Sequence, residues 1–382
     1  MILVVSVSAR MLAELAVRDG HAVFAADRFG DLDLQRMCPG VSIMRDLGGR
    51  GGMAELVAAV EDVPADAVVY GAGLENRPDL VARLAAGRTL LGCDPATLRR
   101  VRDPAVLGAS LRAAGHAWPE TLAGADAPDR ADAAGRRWLR KPVRSGGGRG
   151  IRAWRGGRLT DDVLLQERIA GLPCSFAAVA DGRSAVVLGV GEQLIGRHAL
   201  GARGFAWAGN LVPARLPMAE RRALAGAAIE LCAHLAGVFG LRGLFGVDAV
   251  WDGERAWVVE VNPRPSASLE TVAAAHGTNV FAAHLEGCAG RLPVAPPLDA
   301  LADPPRAAGK AVVFALRDGA APETEDWADD GVRDVPHPGE PIGRGHPICT
   351  LTATGATPES VLDDLEARAA ALHDRMRVDV LA

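Results

Sequence analysis

The chain has 382 residues, a formal net charge of −5 and an isoelectric point near 6.0, a length that accommodates two or three domains. Hydrophobic residues make up 49% of it, enough for a sizeable core. The mild acidity leaves no basic footprint for nucleic acid or an anionic membrane, and the 4% of aromatics argues against stacking platforms for single strands. Cys38, Cys93, Cys174, Cys232, Cys288 and Cys349 are scattered, with no C-x-x-C pair and no zinc spacing. They read as small buried hydrophobes of a reducing cytosol. The start, MILVVSVSARM, lacks a basic stretch ahead of a longer apolar one and reads as a strand, not a signal peptide. No uninterrupted run of about 18 apolar residues occurs, so no membrane span and a cytoplasmic location are expected.

The first 90 residues alternate short apolar runs with helical stretches. Strands are predicted at 2–7, 22–27, 41–44, 67–70 and 89–91, with helices at 9–18, 52–60 and 78–86. This rhythm implies an open, mostly parallel sheet. Asp94-Pro95 and Asp103-Pro104 each start a helix, with proline at the first helical position. A linker rich in Ala, Asp and Gly follows Glu120. From Trp138 the texture changes: strands at 138–141, 163–167, 175–180 and 185–190, a helix at 218–236, and a hairpin of 244–251 and 256–261 turning at Asp252-Gly253. After a proline-rich joint come a strand at 311–315, a turn-rich segment at 334–347, a strand at 348–352 and a helix at 358–376.

Three segments carry chemistry. In the first, Lys141 stands at a strand end before the glycine-dense loop Ser145-Gly146-Gly147-Gly148-Arg149-Gly150. Glycines let backbone N–H groups approach phosphate oxygens, and the lysine adds a point charge; a flexible surface loop is the competing reading. The second, Gln166-Glu167-Arg168-Ile169 and on to Ser175, leaves a strand and offers backbone groups to an adenine edge; an ordinary strand end is the competing reading. In the third, Glu260 and Asn262 are two apart on a strand and leave the same face, with Val259 and Val261 on the other. The hairpin brings Asp248 beside them. Two carboxylates and an amide oxygen make a hard-oxygen set suited to Mg²⁺ on ATP phosphates, with Mn²⁺ as a substitute. Arg264 follows, placed to neutralise a transferring phosphoryl group.

The order of these segments, a lysine and glycine loop, then Q-E-x-I-x-G, then D…E-x-N-P-R, resembles the ATP-grasp superfamily over about residues 95–290. The phrases Asn262-Pro-Arg-Pro-Ser-Ala-Ser-Leu-Glu270 and Tyr70-Gly-Ala-Gly-Leu-Glu-Asn-Arg-Pro78 look most like its predicted ATP-dependent carboligases. The resemblance implies ATP as nucleotide, Lys141 on its phosphates, residues 145–150 closing over them and 166–169 flanking adenine. It implies Asp248, Glu260 and Asn262 as Mg²⁺ ligands and Arg264 as the group assisting transfer. Two departures stand out. Asp103-Pro104 replaces an Asp-Lys pair common in the superfamily, which leaves Arg99 or Arg102 as the second phosphate-binding cation. Leu172-Pro173-Cys174 stands where acidic residues often contact ribose.

The expected architecture is an α/β N-terminal domain (1–94), α+β ATP-grasp domains with antiparallel sheets (95–292, with a lid subdomain at about 120–172), and a small C-terminal α/β unit (293–382). The expected function is an ATP-dependent carboxylate–amine ligase working through an acyl phosphate, with glutamate a plausible substrate and biosynthesis of a glutamate-containing one-carbon carrier its setting. Glu75, Asn76 and Arg77, in a loop after a strand of the parallel sheet, are candidate contacts of the acceptor substrate. A bicarbonate-using carboxylase-like enzyme and a non-catalytic ATP-binding subunit are the alternatives. The partners are small molecules, with a homo-oligomer allowed.

Overall fold

A computed structural model describes residues 1–49, 51–124, 126–133 and 135–378. Its N-terminal strands β1 (Ile2–Val5), β2 (Val23–Asp27), β3 (Gly40–Ser42), β4 (Ala67–Tyr70) and β5 (Thr89–Leu91) pair in parallel. Helices α1 (Arg10–Arg18), α2 (Leu32–Met37), α3 (Met53–Ala58) and α4 (Pro78–Leu84) connect them. All four residues of β1 are buried, as a strand covered on both faces requires. The sheet order is β3-β2-β1-β4-β5. Its direction of winding reverses between β1 and β4, and the crevice beyond their C-terminal ends is where such sheets hold ligands. Two loops meet there, Ser6–Ser8 and Gly71–Glu75. A Cβ on Gly71 would lie 2.4 Å from the Ser6 hydroxyl oxygen, so only glycine lets them come this close.

Helices α5 (Pro95–Val101) and α6 (Pro104–Ala113) start as expected. The Asp94 carboxylate accepts from the N–H of Ala96 and Thr97, and that of Asp103 from Ala105 and Val106, so each aspartate caps a helix whose first residue is proline. The stretch read as a linker holds structure of its own, β6 (Thr121–Leu122) and α7 (Ala127–Ala133); residues 125 and 134 of it lie outside the described residues. Ala127 and Ala131 pack beside Leu122, Trp138 and Leu165, a core made of residues too small to give a clear periodic signal. With β7 (Trp138–Pro142), β8 (Arg152–Ala153) and β9 (Val163–Glu167) this forms a four-stranded antiparallel lid sheet, order β6-β9-β7-β8.

The main sheet begins with β10 (Leu172–Asp181), β11 (Ala185–Ile195) and β12 (Trp207–Val212). After α8 (Met218–Phe239) come β13 (Arg242–Trp251), β14 (Ala256–Asn262), α9 (Leu269–His276), α10 (Val280–Cys288), α11 (Leu298–Ala302) and β15 (Ala307–Phe314). The chain closes with β16 (Gly319–Ala320), β17 (Val332–Arg333), β18 (Pro341–Ile342), β19 (Pro347–Gly355) and α12 (Pro358–Val378). The eight-stranded order is β14-β13-β10-β11-β12-β15-β19-β17, so the chain after residue 293 continues the main sheet through β15 and packs α12 on it. Helix α8 is long and apolar enough, at a mean hydropathy of 1.3, to cross a membrane by length and composition. Here its Leu224, Leu231, Leu235 and Phe239 are buried in the main core. The six cysteines are free, five of them buried.

Candidate active site

The site lies where the lid sheet faces the edge of the main sheet. On that edge Asp248 pairs with Glu260 and Gly246 with Asn262, so the three oxygen-bearing side chains share a face. The next pair is Ala249 with Val258, which leaves Val259 as an extra residue in β14. This bulge corrects the simple alternation expected for the strand. Val258 and Val261 enter the core at 0% and 1% exposure, whereas Val259 stays half-buried in the cleft wall. A bulge residue leaves the ladder, and the Val259 carbonyl accepts a 2.7 Å hydrogen bond from Lys141 Nζ of β7 in the lid. Lys141 also reaches Gln166 Oε1 at 3.4 Å.

Cations and carboxylates alternate around this point. Arg102, at the end of α5, donates to Glu260 Oε1 at 2.5 Å and to the Val261 carbonyl at 3.1 Å, and its other terminal nitrogen reaches Asn76 Oδ1 at 2.9 Å. Arg99 is exposed and, among the described residues, bonds the Pro95 carbonyl of its own helix, so of the two Arg102 is the one that the fold brings to the cleft. Asp248 accepts from Gln193 at 2.8 Å and from Asn262 at 3.0 Å. Arg264 donates to Asn262 Oδ1 at 3.2 Å and twice to Glu75 Oε1, at 3.2 and 3.1 Å. Burial, and then the charge of Glu260, push the Asp248 carboxyl up to about 6. Burial acts on Glu260 in the same sense, but Arg102 and Lys141 outweigh it and hold that carboxyl below its usual range. Burial lowers the Lys141 amine, against the pull of Glu260. Two facing carboxylates, one of them held up by the other's charge, fit a hard divalent cation. Among the described residues no three Asp, Glu, His or Cys side chains form a metal cluster, so the set is two carboxylates and the Asn262 amide.

The remaining expected residues divide. Ser145, Leu164 and Gln166 line the cleft with Trp118 and Val143. The glycine loop, whose competing reading is a flexible surface segment, makes contacts: Trp207 N–H donates to the Gly147 carbonyl at 3.0 Å, and Gly148 sits against the Phe205 carbonyl. Gly146 and Gly150 face solvent. Of the segment expected to flank adenine, only Gln166 turns its side chain to the cleft. Strand alternation sends Glu167 to the opposite face, where Arg136 binds it at 2.8 Å. The Glu167 and Arg168 N–H groups are taken by the Glu120 and Arg137 carbonyls, Arg168 is exposed and Ile169 half-buried. Ser175 is buried, pairs with Asp248 across β10 and β13, and accepts from Asn210 at 2.9 Å; it belongs to the floor under the carboxylates. Glu75 and Asn76 reach the site by gripping Arg264 and Arg102. Arg77 does not: it is half-buried and paired with Asp79 at 2.9 Å. Sequence reasoning missed Gln193 and Asn210; polar residues inside the apolar runs of β11 and β12 were the available signal.

The cleft has a cavity of about 40 Å³ that is partly open to solvent, and the Lys141–Val259 bond ties the lid sheet to β14 across it. A larger cavity of about 220 Å³ opens between Ala315, Arg317, Ile348, His373 and Met376, but none of the cleft residues lines it.

Residues 107–268 match the family model described as an ATP-grasp domain. Among solved structures the chain is similar to the biotin carboxylase domain of the Hydrogenobacter thermophilus 2-oxoglutarate carboxylase, at 17% identity and a TM-score of 0.74, over 95% of this chain and 88% of that one. It is similar to N5-carboxyaminoimidazole ribonucleotide synthetase from Thermotoga maritima (16%, TM-score 0.67, 97% and 98%) and to an L-amino acid ligase from Bacillus licheniformis (14%, TM-score 0.67, 97% and 97%). No curated protein sequence matches. Residues 107–268 thus form an ATP-grasp domain, and the whole chain shares its fold with these structures.

Proposed function

We propose that the chain is an ATP-dependent ligase that joins a small-molecule carboxylate to an amine. The observation that carries this is the convergence of Lys141, Arg102 and Arg264 on Asp248, Glu260 and Asn262 at a cleft closed by the lid. A substrate carboxylate oxygen attacks the γ-phosphorus of ATP; the bond to the β–γ bridging oxygen breaks, giving an acyl phosphate and ADP. A neutral amine then attacks the acyl carbon, phosphate leaves with the C–O electron pair, and the amine's proton is lost. Asp248, Glu260 and Asn262 would hold Mg²⁺, which would supply positive charge against the phosphates. Lys141 and Arg102 exchange their protein acceptors for phosphate oxygens, and Arg264 meets the charge that shifts during transfer. Ser145, Gly147 and Gly148 close over the phosphates, and Gln166, with the backbone near Ile169, borders the base. Glu75 faces the acceptor: it is 2% exposed, and its Oε2 is buried without a hydrogen-bond partner. The resemblance of the Asn262–Glu270 phrase to carboligases favours glutamate as acid and one-carbon carrier biosynthesis as setting.

The test uses an acid labelled with ¹⁸O in its carboxylate. An acyl phosphate route delivers one ¹⁸O into released phosphate, in step with amide formation. Unlabelled phosphate accompanying amide would overturn this mechanism. A second reading, a bicarbonate-using carboxylase, is favoured by the likeness to biotin carboxylase domains; ADP release that needs bicarbonate and no other acid would establish it in place of the first.

A further inference from the structure

At the C-terminal ends of β1 and β2 lies a second charged crevice that the proposed reaction does not use. Arg10, 1% exposed, binds Glu14 at 2.8 Å, Glu270 at 2.6 Å and Asp334 at 3.1 Å. Lys310 binds Glu270 at 2.7 Å. Asp33 approaches Arg10 at 3.9 Å and accepts the N–H groups of Asp334 and Val335. Asp27 accepts three backbone N–H groups, from Ala9, Phe29 and Gly30. With Asp31 that makes six carboxylates, facing Arg10, Lys310 and Arg333, the last at 3.7 Å from Glu14.

Asp31 is the group left over. It is 9% exposed, its Oδ2 is buried with no hydrogen-bond partner, and the like charges of Asp334, Asp27 and Asp33 act on it ahead of the opposing charge of Arg10. Burial and this crowding push its carboxyl up, and burial holds Asp27 at about 6. A buried carboxylate without a cation is costly, and the crevice opens to solvent through exposed Ser8 and an Asp334 side chain 23% exposed. Among the described residues no three of these groups form a metal cluster. Glu75 lies in the loop that follows β4, and β4 stands two strand places from β2 in the parallel sheet, roughly 10 Å.

We infer that the crevice around Asp31 and Asp334 binds a second cationic group, ammonium or guanidinium, on the acceptor amine, whose reacting end lies beside Glu75 and Arg264. The acceptor class is then a diamine, polyamine or dibasic amino acid. The word acceptor rests on the ligase reading; the cation site itself does not.

The test therefore has two arms. Calorimetry without nucleotide compares 1,5-diaminopentane with 1-aminopentane on the whole chain, wild type and Asp31→Asn. Asparagine is isosteric and removes an uncompensated charge; Asp334→Asn is a second variant, tolerated at its left-handed φ of 52°. The diamine is expected to bind at least tenfold more tightly, with the difference lost in both variants. In the kinetic arm, the ratio of kcat/KM for the diamine over the monoamine should exceed tenfold and fall towards one in the variants. Equal binding of the two amines, or diamine binding unchanged in both variants, overturns the inference whatever the turnover. Mg²⁺ alone saturating the Asp31-sensitive site overturns it as well. Diamine binding that depends on Asp31, with no amide formed from any acid, upholds the cation site and removes the ligase reading.

Discussion

The two charged regions of this molecule contrast in their bookkeeping. In the cleft under the lid, Lys141, Arg102 and Arg264 face Asp248, Glu260 and Glu75, three cations to three carboxylates, with Arg102 paired to Glu260 and Arg264 to Glu75 while Lys141 bonds the Val259 carbonyl. In the crevice beyond β2, carboxylates outnumber cations and Asp31 stays unpaired. A balanced site holds itself shut and must exchange partners to bind anionic phosphates. An unbalanced one is strained until a cation arrives. The opposite directions of Glu260 and Asp27 express this: cations hold the first below its usual range despite burial, while burial raises the second to about 6.

The largest expected effect breaks the balance. Arg264→Ala should lose about 2–4 kcal/mol of transition-state stabilisation, as when one oxyanion donor is removed, mainly in kcat. It also leaves buried Glu75 unpaired, so the variant should melt lower. Adding Glu75→Gln should restore the melting temperature without restoring turnover. Steady-state kinetics and thermal melts on the single and double variants check both halves; near-normal kcat in Arg264→Ala would remove it from the reaction.

The pH dependence of stability should differ in sign between the regions. The folded state holds Asp27 protonated up to about 6, against 3.8 for a free aspartate. Relative to Asp27→Asn, the wild type should therefore be most stable below pH 3.8 and lose about 3 kcal/mol as pH rises past 6. Glu260 is depressed, so its contribution is present above 4.5 and lost as acid protonates it. Relative to Glu260→Gln the wild type should thus weaken as pH falls. Urea titrations of the three proteins from about pH 2 to 8 read both slopes, and slopes of the same sign would contradict the contrast.

Smaller effects sharpen the account of the cleft. Glu260→Gln should raise the Mg²⁺ concentration for half-maximal turnover by about tenfold or more, measured by metal titration at saturating ATP. Gly148→Ala puts a Cβ 1.8 Å from the Phe205 carbonyl at a φ of 74°, a cost of about 1–2 kcal/mol from the left-handed conformation alone. The loop should lift off Trp207, so kcat/KM for ATP should fall about tenfold and amide exchange in 145–150 should quicken.

Much of this was legible in the sequence where the cause is local. Aspartate before proline marked both caps at Asp94 and Asp103, Asp252-Gly253 marked the hairpin, and the two-residue spacing of Glu260 and Asn262 fixed their common face. The bulge at Val259 was not legible, because it depends on the register of β13 against β14. Nor was the choice of Arg102 over Arg99, set by how α5 docks. Helix α2 and strand β12 escaped notice because each is six residues long with a mixed apolar pattern. The acidic crevice draws on residues from Arg10 to Asp334, so long-range topology alone assembles it, although a single lysine in the apolar strand β15 was a cue.

The central claim is that the cleft couples ATP cleavage to amide formation. It is tested most directly by incubating the protein with MgATP and a matrix of acids and amines, following ADP while mass spectrometry searches for the condensed product. The account predicts ADP release that requires both an acid and an amine, one amide per ADP, at the summed mass less water, and its loss in Arg264→Ala. ADP release indifferent to the amine, with no amide at any pairing, would contradict it.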